Sequence, residues 1–122
     1  MTNEQMKALK DGGLVVDKTI ERFSGSADIY ERFLKKFIND KSYDQIAPAF
    51  ASNDREAALT AAHTLKGVSA NLGMTALYEA CTKTVALLRA DQFEEARVSC
   101  ADIDRTYQDV CAIINSFGVR GQ

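Results

Sequence analysis

From Phe93 to Phe117 the apolar residues of this 122-residue chain recur in alternating steps of three and four: Phe93, Ala96, Cys100, Ile103, Tyr107, Val110, Ile114 and Phe117. A strand alternates with period two and cannot gather that set on one face, whereas a helix can. A 3.5-residue repeat sustained over about three heptads makes a seam that packs nearly parallel to its neighbours. The last quarter of the chain is therefore one long helix that needs partner helices.

Glycine and proline punctuate the remainder, at Gly12-Gly13, Gly25, Pro48, Gly67 and Gly73, with Gly118 and Gly121 at the end. The intervals carry helical periodicity, and none reads as a strand. Short helices are expected over Asn3 to Lys10 and Asp17 to Phe23. Ser26 caps a helix to about Asn39 whose stripe is Tyr30, Phe33, Leu34, Phe37 and Ile38. Tyr43 to Ala51 reads as helix, although Pro48 in its interior would cost about 3 kcal/mol unless a late start puts it in the first turn. Asn53 or Asp54 caps the next helix, Asn53 and Glu56 having capping-box spacing. That helix runs to Asn71 or Leu72 and stops at Gly73. Thr75 caps a helix to about Ala90 with the stripe Leu77, Cys81, Thr84 and Leu88, and Asp91 caps the last. Long helices on short loops make antiparallel neighbours. The expected fold is all-α: an up-down antiparallel four-helix bundle with a short N-terminal helical cap, one domain over residues 1–122.

Composition narrows function by exclusion. A net charge of −2 argues against a nucleic-acid surface or a polybasic membrane anchor. No apolar run approaches the roughly 20 residues that span a bilayer, and the start, Met1 to Lys7, has no apolar signal-like segment. A cytoplasmic protein is expected. Cys81, Cys100 and Cys111 are odd in number and without Cys-x-x-Cys spacing, so they read as small core hydrophobes. One His and no clustered acidic or thiol ligands give no metal site.

That one histidine lies in Ala61-Ala62-His63-Thr64-Leu65-Lys66-Gly67-Val68-Ser69-Ala70-Asn71-Leu72-Gly73. At about 100° per residue, Ala58, Ala61, Leu65, Val68 and Leu72 form the buried stripe and His63 points to the opposite, solvent side. Lys66 and Gly67 follow at i+3 and i+4 on the His63 face, Ala70 continues it, and Leu59 precedes it at i−4. Glycine inside a helix costs roughly 1 kcal/mol relative to alanine, and no turn here explains it. Clear access to the imidazole would. An unperturbed His is mostly neutral at pH 7, a nearby ammonium favours that nucleophilic form, and the same ammonium can meet phosphoryl oxygens. These parts suit covalent phosphorylation of His63. They do not suit hydrolysis, because no second His or near carboxylate stands by. Each feature alone also has a bland reading: a surface histidine, a solvated lysine, a tolerated glycine.

The stretch His63-Thr64-Leu65-Lys66-Gly67-Val68-Ser69-Ala70-Asn71-Leu72-Gly73, followed by Leu77, resembles the signature of histidine-containing phosphotransfer (HPt) domains of two-component phosphorelays. Phe23-Ser24-Gly25-Ser26 with Tyr30 and Phe33 to Phe37, and the turn at Asn53-Asp54, resemble the family's N-terminal half, so the likeness covers about residues 14–117. The resemblance implies a helical bundle with an N-terminal cap. It implies that His63 accepts a phosphoryl group from a receiver-domain aspartyl phosphate and passes it to another receiver aspartate. Lys66 would stabilise the moving phosphoryl oxygens and Gly67 would clear the approach, while Ser69, near the core edge, serves packing. Partners would be response-regulator receiver domains and a hybrid histidine kinase, docking on the His63 face around Leu59, Thr60 and Ala70. The chain would be a monomeric carrier without kinase activity and without a cofactor, Mg²⁺ belonging to the receiver.

Two other readings compete. The phosphoacceptor domain of a chemotaxis-type kinase has a similar bundle and His motif; the end at Gln122 after Gly118-Val119-Arg120-Gly121 favours the stand-alone carrier. A helical adaptor with an incidental His is the alternative from another class.

Overall fold

The structure, a computed structural model, describes residues 1–120. Seven helices follow one another: α1 (Asn3–Asp11), α2 (Asp17–Arg22), α3 (Ala27–Phe37), α4 (Lys41–Ala51), α5 (Arg55–Asn71), α6 (Thr75–Arg89) and α7 (Phe93–Arg120). Among the described residues there is no strand, and no helix is long and apolar enough to cross a membrane.

Helices α4 to α7 form the up-down four-helix bundle. Helix α5 packs against α4 and α6, and α6 against α7. Side chains close the ring between α7 and α4: Tyr43 stacks on Tyr107 at 3.7 Å between ring centroids, and Arg97 donates to the Phe50 carbonyl. The α7 stripe read from the sequence is the seam, with Ala96, Ile103, Tyr107, Val110, Ile114 and Phe117 buried and Phe93 and Cys100 half-buried. Thr84 and Ser99 satisfy each other across α6 and α7 at 2.6 Å, which is how two hydroxyls can be buried in this core.

Three corners join the bundle helices, and all three are built alike. Ser52-Asn53-Asp54, Leu72-Gly73-Met74 and Ala90-Asp91-Gln92 each put their middle residue at positive φ, +55°, +73° and +62° respectively. In each corner the third residue's N–H reaches back to the carbonyl five residues earlier and the middle residue's N–H to the one three earlier: Asp54 to Ala49, Met74 to Ser69, and Gln92 to Leu87 make the longer closure. This is the Schellman arrangement, which satisfies orphan carbonyls at a helix end. The third residue then opens the next helix.

That geometry corrects several boundaries. Asp54, not Asn53, is the N-cap of α5, and Asn53 closes α4. Thr75 is the first residue of α6 rather than its cap; Met74 holds that place and makes no side-chain cap. Asp91 ends α6 instead of capping α7 and pairs with Arg55 at 3.2 Å. Helix α4 starts earlier than expected, capped by Asp40, so Pro48 lies in its interior. Pro48 and Asp44 are both on the exposed face, where water can satisfy the Asp44 carbonyl that proline leaves unbonded. The last helix continues past Gly118 to Arg120; Gly121 and Gln122 lie outside the described residues.

Helices α1 to α3 cap one end of the bundle, where α5 and α7 both finish. Three groups from this cap serve carbonyls at and just beyond the end of α5. Arg22 donates to Ala70 at 3.0 Å, the buried Tyr30 hydroxyl to Leu72 at 2.9 Å, and the Val15 amide to Gly73 at 2.9 Å. Gly73 has no room for a side chain, since a Cβ there would collide with the Thr19 hydroxyl and the Val15 carbonyl.

Candidate functional site

Helix α5 positions the site because its two ends are fixed. The Asp54 carboxylate accepts the Ala57 amide at 3.0 Å, and the cap bonds just described hold the other end. Ala58, Ala61, Ala62, Leu65, Ser69 and Leu72 are buried, and Val68 is half-buried. This sets the rotation of the helix, and His63 is exposed on the far side. Among the described residues the imidazole has no hydrogen bond or ion pair, so both nitrogens face solvent.

Around His63 the helix has two unlike flanks, given about 100° per residue. On one side lie Lys66, Leu59 and Ala70, facing α6; on the other lie Gly67, Thr60 and Asn71, facing α3 and α4. A Cβ built on Gly67 meets nothing within 4 Å. Packing inside the chain therefore does not require glycine at this position. Lys66 is half-buried, and its ammonium lies 5.8 Å from the centre of the Tyr78 ring on α6. Ser69 is fully buried, with its hydroxyl donated to the Lys66 carbonyl at 2.9 Å, as a packing residue would be.

The remaining expected contact residues are placed as follows. Leu59 is not an exposed apolar residue: it is half-buried against the core. Thr60 is exposed and lines a cleft with Gln45, Pro48 and Glu56 between α4 and α5; its carbonyl accepts the Thr64 hydroxyl at 2.8 Å. Ala70 is half-buried and lines a separate cleft with Val15, Arg22, Met74 and Tyr78. The three thus surround His63 without forming one patch.

Two further features were hidden in the sequence. Phe33, read as part of the α3 stripe, is 43% exposed. It stands at the edge of that stripe, its ring 5.2 Å from that of Phe23 and with the Lys36 ammonium 5.4 Å from its centre. With Val68, Asn71, Leu72 and Arg22 it lines an apolar cleft of about 390 Å³ beyond Gly67. The edge position in the wheel was the available signal. Tyr78 carried no signal in its own helix, because its meeting with Lys66 depends on the register of α5 against α6.

Among the described residues no other cluster of reactive groups stands out. Burial pushes the Cys81 thiol up to about 12 and the Cys100 thiol up to about 11, which makes both poor nucleophiles. Among the described residues no three His, Cys, Asp or Glu side chains stand together as a metal site would need. The chemistry available on this surface is that of one free imidazole with an adjacent cation and an open approach.

The Hpt domain family model matches residues 32–113, more than half of the chain and including His63. No curated protein and no solved structure matches it at a significant level.

Proposed function

The chain belongs to the Hpt domain family, whose members carry phosphoryl groups in two-component signalling between receiver domains and histidine kinases, and from that premise we propose that His63 is the phosphoacceptor of a phosphorelay intermediate. The observation that carries this reading is the exposed, unpaired His63 beside the open space at Gly67.

The neutral imidazole attacks the phosphorus of a receiver's aspartyl phosphate. An N–P bond forms, the acyl O–P bond breaks, and the carboxylate of the receiver leaves; transfer to a second receiver runs the same exchange backwards. Lys66 offers an ammonium to the phosphoryl oxygens, and Gly67 leaves room for the incoming domain. Receivers dock on the His63 face around Thr60, Ala70 and the half-buried Leu59, with the Phe33 cleft extending it. The chain acts as a monomer and carries no cofactor of its own, the Mg²⁺ of the exchange coming with the receiver.

The test is transfer of labelled phosphoryl from a phosphorylated receiver domain. Acid-labile, base-stable label is expected on the wild-type chain and absent from His63→Gln. The variant should melt within about 0.5 kcal/mol of wild type, as exposed substitutions do. Label retained by the variant would move the acceptor elsewhere; a folded wild type that takes no label from a panel of receivers would favour the helical adaptor.

A further inference from the structure

Lys66 has a partner on the neighbouring helix. Its ammonium is 5.8 Å from the Tyr78 ring centre, inside the range in which a ring face attracts a cation. Among the described residues no carboxylate lies within ion-pair distance of it. Tyr78 stands in the first turn of α6, its amide bonded to the Met74 carbonyl at 2.9 Å, between the fully buried Leu77 and Cys81 on one side and solvent on the other. Its backbone is fixed by the core while the residue as a whole is 36% exposed. The lysine stem is long and flexible, and lies one turn beyond His63 on the same flank of α5.

We propose that Tyr78 is a positioning residue for the phosphoryl exchange: its ring holds the Lys66 ammonium against α6 while His63 is unphosphorylated, and the cation leaves the ring for the phosphoryl oxygens as they arrive. This rests on the reading of His63 as the phosphoacceptor. The direction of the effect follows from which contacts each state has. An exposed cation–π contact is weaker than a charge-assisted bond to a phosphoryl oxygen, so the exchange of partners goes forward. Because the ring contact exists only before phosphorylation, it stabilises the ground state and slows the forward step. The phosphorylated protein has already lost it, so the lifetime of the phosphohistidine does not depend on Tyr78.

The experiment uses phosphoramidate as donor to the full chain. The His63 N–P bond forms as the P–N bond of phosphoramidate breaks, ammonia leaves, and the second imidazole nitrogen gives its proton to solvent. Tyr78→Leu should phosphorylate about two- to fivefold faster than wild type, the ratio an exposed cation–π contact supports, with unchanged hydrolysis of the phosphohistidine. Tyr78→Phe keeps a ring and should behave as wild type. In a Lys66→Ala background Tyr78→Leu should change nothing. A separate readout needs no phosphate: the Lys66 ε-methylene protons should be shifted upfield by the ring in wild type and Tyr78→Phe, and not in Tyr78→Leu. Absence of that shift in wild type, or an equal effect of Tyr78→Leu with and without Lys66, would overturn the positioning role alone. A chain that shows the shift yet takes no phosphoryl group on His63 fails the functional reading, and the positioning role falls with it.

Discussion

Gly67 and Gly73 lie six positions apart near the end of one helix, and the structure asks opposite things of them. A Cβ at Gly67 would meet open space, so the cost of glycine in a helix is unrelieved by any contact inside the chain. Gly67→Ala should raise stability by about 0.5–1 kcal/mol, read in chemical denaturation, while a larger side chain there should slow phosphoryl transfer from a receiver. A stabilised variant with undiminished transfer, even for Gly67→Leu, would remove access as the reason for the glycine. At this scale the sequence was informative where a residue's surroundings are its own helix. The rotation of His63 away from Ala58, Ala61 and Leu65 is such a case. It was uninformative where a neighbouring helix decides: Leu59 reads as exposed on a wheel, yet the rest of the bundle half-covers it.

Helix ends show the same division. Asp54 and Gly73 are the residue types a start and a stop require, and α5 was legible from end to end. Thr75 and Asp91 are good N-cap types too, but the corners give that place to Met74 and Gln92, because the residue in the left-handed region must come one position earlier. Asp91 tolerates that conformation better than most residues and pairs with Arg55 there. Pro48 hid the start of α4 because propensity argues against an interior proline, whereas the solvent face on which it lies lets the helix continue. The corner at Gly73 is the one with no latitude. Its φ of +73° and the close approach of Val15 and Thr19 predict that Gly73→Ala costs about 2 kcal/mol or more. Denaturant midpoints would check this; a loss of only a few tenths would mean that the corner adjusts freely.

Across the whole molecule, thiol and phenol groups in the core and seam contribute to the response to alkali. Burial pushes the Cys81 thiol up from an ordinary value near 9 to about 12, and burial together with the bond to Asp104 pushes Tyr43 up to about 12. The folded chain therefore keeps these protons after the unfolded chain has released them. Stability is complete below about pH 9 and falls between there and about pH 12, by at most about 1.4 kcal/mol per pH unit for the buried Cys81 thiol and by less for the solvent-screened Tyr43, which joins above about pH 10. Urea denaturation across that window should show the decline, and Cys81→Ala should make it shallower; an identical slope would mean that the thiol does not contribute.

The bundle helices also follow one another in space as they do along the chain, each turning on a three-residue corner, and this has a kinetic consequence. Contacts between neighbours in sequence close quickly, and helical bundles of low contact order fold in microseconds to milliseconds. The bonds from Arg22 and Tyr30 to the end of α5 span 48 and 42 positions, and the Tyr43–Asp104 bond that closes α4 on α7 spans 61, so both closures cost more than the three corners. The α4–α5, α5–α6 and α6–α7 pairs are therefore expected to form first, with the seating of residues 15–30 on the end of α5 and the closure of α4 on α7 following. In hydrogen exchange, the final turn of the His63 helix would then belong with the N-terminal segment, and the imidazole's own turn with the bundle.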